Sequence, residues 1–173
     1  FLFYGLIREQ KGLDDLILAM CGVPDSQLVI AGAMPHGESF ANYQKLIDEA
    51  NIDCVKFIEY IPNEWTDELY QACDVVCLPY KYFYSQSGVF MQSIKYRKPV
   101  VVSDVSSFKE YIDKYGMGVL CKPCEPGDLH SKLCEIKEKL SVNKLVFAEN
   151  MELAACENSW EKSAEKHIKL FMK

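Results

Sequence analysis

Two short segments of this 173-residue chain carry residue types suited to holding a polyanion. The first, Gly5-Leu6-Ile7-Arg8-Glu9-Gln10-Lys11-Gly12, sets two cations three positions apart between glycines. A guanidinium offers a planar fork of donors matched to phosphoryl oxygens, an ammonium offers a compact charge, and glycine lets a charged ligand approach the backbone. The second, Tyr80-Lys81-Tyr82-Phe83-Tyr84-Ser85-Gln86-Ser87-Gly88, ends in small polar residues ahead of Val89 to Tyr96, where apolar residues recur with helical period. A helix starting there presents N–H groups without intrahelical partners, with Ser87 as cap and Gly88 permitting close approach, so it can hold an anion without formal charge. Taken singly, each segment also reads as something ordinary: a solvated turn with a helix-capping glycine, and a plain serine N-cap.

What joins the two segments is the order of the elements around them. Apolar runs of four to six residues alternate with longer stretches of helical period, the pattern of a parallel α/β architecture. The predicted strands are Phe1 to Tyr4, Gln27 to Ala31, Val55 to Ile58, Val75 to Leu78, Val100 to Val102 and Gly118 to Cys121. Helices are expected between them, at about Glu64 to Ala72 and Ser107 to Tyr115 for example, and from Pro126 through Leu140 onward. The fold class is therefore α/β, a Rossmann-like doubly wound parallel sheet of about six strands with helices on both faces. In the common strand order 3-2-1-4-5-6, strands 1 and 4 are neighbours where the winding reverses, and ligands bind beyond their carboxyl ends. The loops after Tyr4 and Leu78, which are the two anion-suited segments, then face each other.

Other chemistries lack a starting motif. Neither segment has the glycine and lysine spacing of a mononucleotide P-loop or the Gly-x-Gly-x-x-Gly of dinucleotide enzymes. There is no Gly-x-Ser-x-Gly elbow and no His-Glu-x-x-His helix. His36, His130 and His167 have no evident partners, although His36 follows the second strand at the ligand edge. Cys121, Cys124, His130 and Cys134 approach a small zinc knuckle without matching its spacing, and Leu129, Leu133, Ile136 and Leu140 make that stretch an amphipathic helix instead. Most of the eight cysteines, scattered through apolar segments, are expected to be buried reduced thiols.

Composition narrows the classes further. With 49% hydrophobic residues the chain can bury a full core, and its length favours one domain, residues 1–173. A net charge of −6, from 25 acidic against 19 basic side chains, argues against nucleic acid as a partner. No apolar run approaches the length of a transmembrane segment and no leader is evident, which points to a cytoplasmic domain. The abrupt apolar start at Phe1 suggests a piece of a longer protein, for which a peripheral position at the inner membrane stays open.

The same residues, in order, resemble the C-terminal domain of GT-B glycosyltransferases of the GT4 family. The resemblance runs from Phe3-Tyr4-Gly5 to Gly12 through Leu28 to Gly32, Val55 to Pro62, Ala72-Cys73-Asp74 to Pro79 and Ser87-Gly88-Val89. It continues through Arg97-Lys98-Pro99 to Ser103 and ends in Asn158-Ser159-Trp160-Glu161. It implies a nucleoside-diphosphate sugar as donor, no cofactor and no metal requirement, and an acceptor-binding N-terminal domain of the same protein as partner. The activity implied is a hexosyl or related transfer in surface-polysaccharide or glycolipid synthesis. Arg8 and Lys11 would neutralise the donor diphosphate and its departing charge, with Gly5 and the Ser87-Gly88-Val89 backbone closing the grip. The base would lie by Tyr60 and Ile61, held through backbone contacts.

Where relatives have two glutamates framing the glycine turn, this chain has Tyr84 and Gln92. Gln92 could meet the ribose through its carbonyl, but Tyr84 offers no carboxylate to the donor sugar. A register shift of one or two residues puts Gln86 there instead. Two other readings remain: a sugar-nucleotide epimerase of the same architecture, and a binding or scaffolding module without catalysis.

Overall fold

A computed structural model describes residues 1–172, apart from the side chains of Lys144 and Lys166. Its strands β1 (Leu2–Tyr4), β2 (Leu28–Ala31), β3 (Cys54–Phe57), β4 (Val76–Leu78), β5 (Val100–Ser103) and β6 (Gly118–Cys121) form one sheet in the order β3-β2-β1-β4-β5-β6. Every pairing is parallel, from Leu28 opposite Cys54 to Ser103 opposite Cys121. Parallel neighbours need crossovers, and these are helices α1 (Leu13–Met20), α2 (Ala41–Ala50), α3 (Asn63–Ala72), α4 (Gly88–Lys95) and α5 (Phe108–Tyr115). Helices α6 (Pro126–Glu157) and α7 (Trp160–Phe171) follow.

The strands are apolar throughout because both faces of the sheet are covered. Successive side chains alternate between two cores: Phe3, Leu28, Ile30, Cys77 and Val101 pack with α1 and α2, while Leu2, Ala31, Val76, Leu78, Val100 and Val102 pack with α3, α4 and α5. Val100, Val101 and Val102 are fully buried, each stabilising the fold by about 1.5–3 kcal/mol relative to exposure. Helix α6 serves both cores. Its Leu129, Leu133, Ile136 and Phe147 lie in the first and its Met151 and Ala154 in the second. The crossing follows a break at Asn143, whose backbone leaves helical values (φ −124°, ψ 33°).

The cysteine expectation needs correction. Only Cys73, Cys77 and Cys121 are buried; Cys54 and Cys134 are half-buried, and Cys21, Cys124 and Cys156 are exposed. Cys21 follows the end of α1, Cys124 precedes α6, and Cys156 lies on the outer side of α6 near its end, so an apolar neighbourhood in sequence does not put them in a core. Burial pushes the thiols of Cys73 and Cys121 up to about 11 and that of Cys77 to about 12. Among the described residues no helix is long and apolar enough to cross a membrane.

Candidate functional site

The loops after β1 and β4 meet at the carboxyl edge of the sheet, as the strand order requires. Gly5 turns the chain with φ +97°. Its N–H reaches the Ala31 carbonyl at 2.9 Å, and the Ile7 N–H reaches Ala33 at 2.8 Å, which ties the loop to the end of β2. A single 3-10 turn, Glu9–Lys11, leads to Gly12 at φ +67°, where a side chain would bring Cβ to 1.9 Å from the Pro79 carbonyl oxygen. The start of α1 can therefore seat against the end of β4 only with glycine there. From the other side, the Lys81 N–H bonds the Gln10 carbonyl at 2.8 Å and its ammonium bonds Asp14 at 2.6 Å.

The second loop ends in a capped helix. Ser87, nearly fully buried, accepts from the Phe90 N–H at 3.3 Å and shares a hydrogen bond with the Tyr80 hydroxyl at 3.1 Å. The N–H groups of Gly88 and Val89, in the first turn of α4, have no intrahelical acceptor by position and stay available. A Cβ added to Gly5 would lie 3.1 Å from Lys11 Nζ and 3.3 Å from Val89 Cγ2. The Lys11 ammonium, the Gly5 backbone and the first turn of α4 thus lie side by side at this edge.

Its electrostatics favour an anion. Burial, and then the neighbouring Arg8, lowers the Lys11 pKa from 10.5 to about 8. The ammonium also lies 5.7 Å from the centroid of the Tyr80 ring. Arg8 is exposed, and among the described residues neither cation takes a carboxylate partner. Asp14, the acid four residues from Gln10, is held by Lys81 instead. Asp14 Oδ1 and Asp15 Oδ2 are buried without a hydrogen-bond partner among the described residues. They sit in the first turn of α1, where the helix dipole offsets part of that cost.

The remaining sequence-picked residues divide. Gln92 is half-buried, and its Oε1 accepts from the Tyr70 hydroxyl at 3.2 Å. The carbonyl assigned to a ribose is therefore already engaged, leaving the NH2 group and the second lone pair. Tyr84 is 93% exposed, its ring 6.4 Å from that of Tyr82. Gln86 is exposed with its amide on Met91 Sδ, and neither side chain has a carboxylate to offer. Tyr60 is exposed and Ile61 buried beyond the end of β3, on the same sheet edge. His36 is exposed. Of the knuckle-like set, Cys121 meets Ser103 and Cys124 is exposed, so the four do not converge.

Sequence reasoning passes over Tyr80, Lys81, Asp14 and Tyr70. Only Tyr80 and Lys81 carry a signal, by following Pro79 directly inside a loop already singled out.

A cavity of about 800 Å3 lies at the opposite edge, among Phe1, Gln27, Val75 and Pro99, which precede or open β1, β2, β4 and β5. Its cations are committed: Arg97 to Glu152, Lys98 to the Gln71 and Cys73 carbonyls, and Lys137 to the Pro24 and Asp25 carbonyls. Size alone does not outweigh the open-sheet rule, which puts ligands at the carboxyl edge.

Residues 1–151 match the family described as glycosyl transferases group 1. Among solved structures, the chain is similar to sucrose-phosphate synthase from Thermosynechococcus elongatus, at 20% identity and a TM-score of 0.80, covering 97% of this chain and 44% of that one. It is similar to Anabaena HepE, solved in complex with UDP, at 18% identity and a TM-score of 0.78, covering 97% and 47%. The C-terminal domain of the group 1 protein LpcC from Francisella tularensis aligns at 15% identity and a TM-score of 0.68, covering 89% and 80%. At such identities the likeness is one of fold, and the chain spans less than half of the first two proteins. No curated protein matches it in sequence. The chain belongs to the glycosyl transferases group 1 family and has the fold of the C-terminal domain of a GT-B glycosyltransferase.

Proposed function

We propose that the chain binds the nucleoside-diphosphate sugar donor of a glycosyltransferase, gripping the diphosphate between the Gly5 to Gly12 loop and the Ser87-Gly88-Val89 turn. The observation that carries this is a juxtaposition: a half-buried ammonium, a glycine backbone and a helix N-terminus lie together, with neither cation ion-paired to a carboxylate among the described residues. The UDP bound to HepE, a protein of the same fold, is consistent with such a ligand. The base would lie by Tyr60 and Ile61 and the ribose by Gln92. No metal is needed on this reading.

In transfer, an acceptor hydroxyl oxygen forms a bond to the anomeric carbon while the bond to the diphosphate breaks, and the hydroxyl proton leaves to the departing diphosphate or to solvent. The negative charge that develops on the leaving diphosphate is met by Arg8, Lys11 and the amides of α4, preorganised before the bond breaks. The acceptor side would come from an N-terminal domain of the full-length protein, in keeping with neighbours about twice as long. The chain alone is then expected to bind donor and transfer nothing, and the acceptor is proposed to be a surface polysaccharide or glycolipid precursor.

The experiment is a titration of UDP, GDP, ADP and their sugars against the unsubstituted chain and the Arg8→Ala and Lys11→Ala variants. Each substitution removes a charge-assisted contact to phosphate and should cost about 1.5–3 kcal/mol, roughly 10- to 150-fold in affinity. If neither variant binds any nucleotide more weakly, the diphosphate assignment is wrong. A second reading, donor binding without transfer, rests on exposed Tyr84 where relatives have a glutamate. It gains if the full-length protein binds donor yet neither transfers nor hydrolyses it.

A further inference from the structure

The four knuckle-like residues do not converge, but two of them make a chemically suited pair. We propose that His130 and Cys134 form a two-ligand site for a borderline-soft divalent cation such as zinc, on α6 where that helix packs against α1. The residues stand four apart on one helix, so their side chains share a face. Cys134 Sγ lies 3.7 Å from His130 Nε2. Tetrahedral zinc, with Zn–S about 2.3 Å and Zn–N about 2.0 Å, spans an S···N separation of about 3.5 Å, so the cation can replace the thiol proton with little movement.

The histidine is already oriented for ligation. Its Nδ1 lies 2.8 Å from the Ala19 carbonyl oxygen. A carbonyl only accepts, so Nδ1 carries the proton and Nε2 presents its lone pair to the sulfur. A ring N–H held by a backbone carbonyl is the outer-shell contact that fixes the tautomer and aim of metal-bound histidines. Ala19 belongs to the last turn of α1, whose negative dipole end favours a bound cation nearby. Both side chains are half-buried, which leaves solvent-facing coordination positions for water. Among the described residues no cluster of three or more His, Cys, Asp or Glu is set to hold a metal. The site is therefore an exchangeable one, unlike a closed structural zinc centre. Binding exchanges the S–H bond for an S–metal bond and releases one proton to solvent.

The test is titration of the reduced, chelator-treated protein with Co2+, then displacement by Zn2+. One equivalent of cobalt should give thiolate-to-metal charge-transfer absorption, with a dissociation constant on the order of 10 µM, far weaker than four-ligand sites. His130→Gln and Cys134→Ser should each abolish that absorption, while substituting the exposed thiols Cys21, Cys124 and Cys156 by serine leaves it intact. Nitrogen NMR of the histidine rings in unsubstituted protein should show the His130 Nε2 signal shifting on zinc while Nδ1 keeps its proton, a readout independent of any variant's folding. No absorption, absorption that survives both substitutions, or coordination through Nδ1 overturns the proposal.

Discussion

Lys11 is the residue through which the proposed donor site answers to pH. Burial and Arg8 lower its pKa to about 8, so near neutrality it is charged, but with little reserve. Bound phosphate favours the charged form and raises the pKa again, so binding above about pH 8 draws in a proton. Both phosphates of a nucleotide sugar are diesters that hold their charge over this range, which leaves the lysine to set the profile. Affinity is expected to be flat near pH 7 and to fall toward pH 9, approaching tenfold per unit at the steepest. Calorimetry in buffers of different ionisation enthalpy would read the proton uptake, and Lys11→Arg should flatten the curve. An unsubstituted protein with a flat profile would remove Lys11 from the diphosphate. For the free fold the sign is opposite. The unfolded lysine holds more protons between about pH 8 and 10.5, so stability rises with pH across that window. Gly5, Arg8, Lys11, Ser87 and Gly88 are legible in sequence because their chemistry is written in residue type and spacing. The Asp14–Lys81 pair is not, since it joins positions 67 apart.

At the scale of elements, the site depends on how closely α1 and the loop after β4 are seated. Gly12→Ala puts a methyl where the Pro79 carbonyl stands and forces a left-handed backbone on an L side chain. The second effect alone costs about 1–2 kcal/mol, so denaturant midpoints should show a loss of at least about 2 kcal/mol. Gly127→Ala is the control: its methyl meets nothing, and alanine near a helix start is neutral or gains up to about 1 kcal/mol. Equal losses in both variants would mean that the contact with Pro79 has no special weight.

The Asp14–Lys81 pair is the second tie, with side chains 32% and 19% exposed. Lying between surface and buried pairs, it should be worth about 1–3 kcal/mol. Lys81→Met should cost more than Asp14→Asn, because it strands a carboxylate that already has one unpartnered buried oxygen. The reverse order in the unfolding midpoints would argue that the pair is only a surface contact.

For the whole molecule, the strand order was legible from alternation and from the general geometry of doubly wound sheets, and the meeting of the two loops follows from it. The crossing of α6 from one core to the other was not, because no glycine or proline marks Asn143 and the helical period runs on through it. Nor was the amino-edge cavity, which is bounded by strand starts and by α6 on either side of that break. The two edges differ in what they offer an anion. At the amino edge Arg97, Lys98 and Lys137 are spent on Glu152 and on backbone carbonyls, whereas at the carboxyl edge Arg8 and Lys11 have no ion-pair partner among the described residues and the first amides of α4 have no intrahelical acceptor. Hydrogen exchange in saturating nucleotide sugar should therefore slow the amides of Gly5 to Gly12 and Gly88 to Phe90, and leave Gln27, Val75 and Arg97 unchanged. Protection confined to those last residues would place the ligand in the amino-edge cavity and break the link between strand order and site, whatever the loops look like.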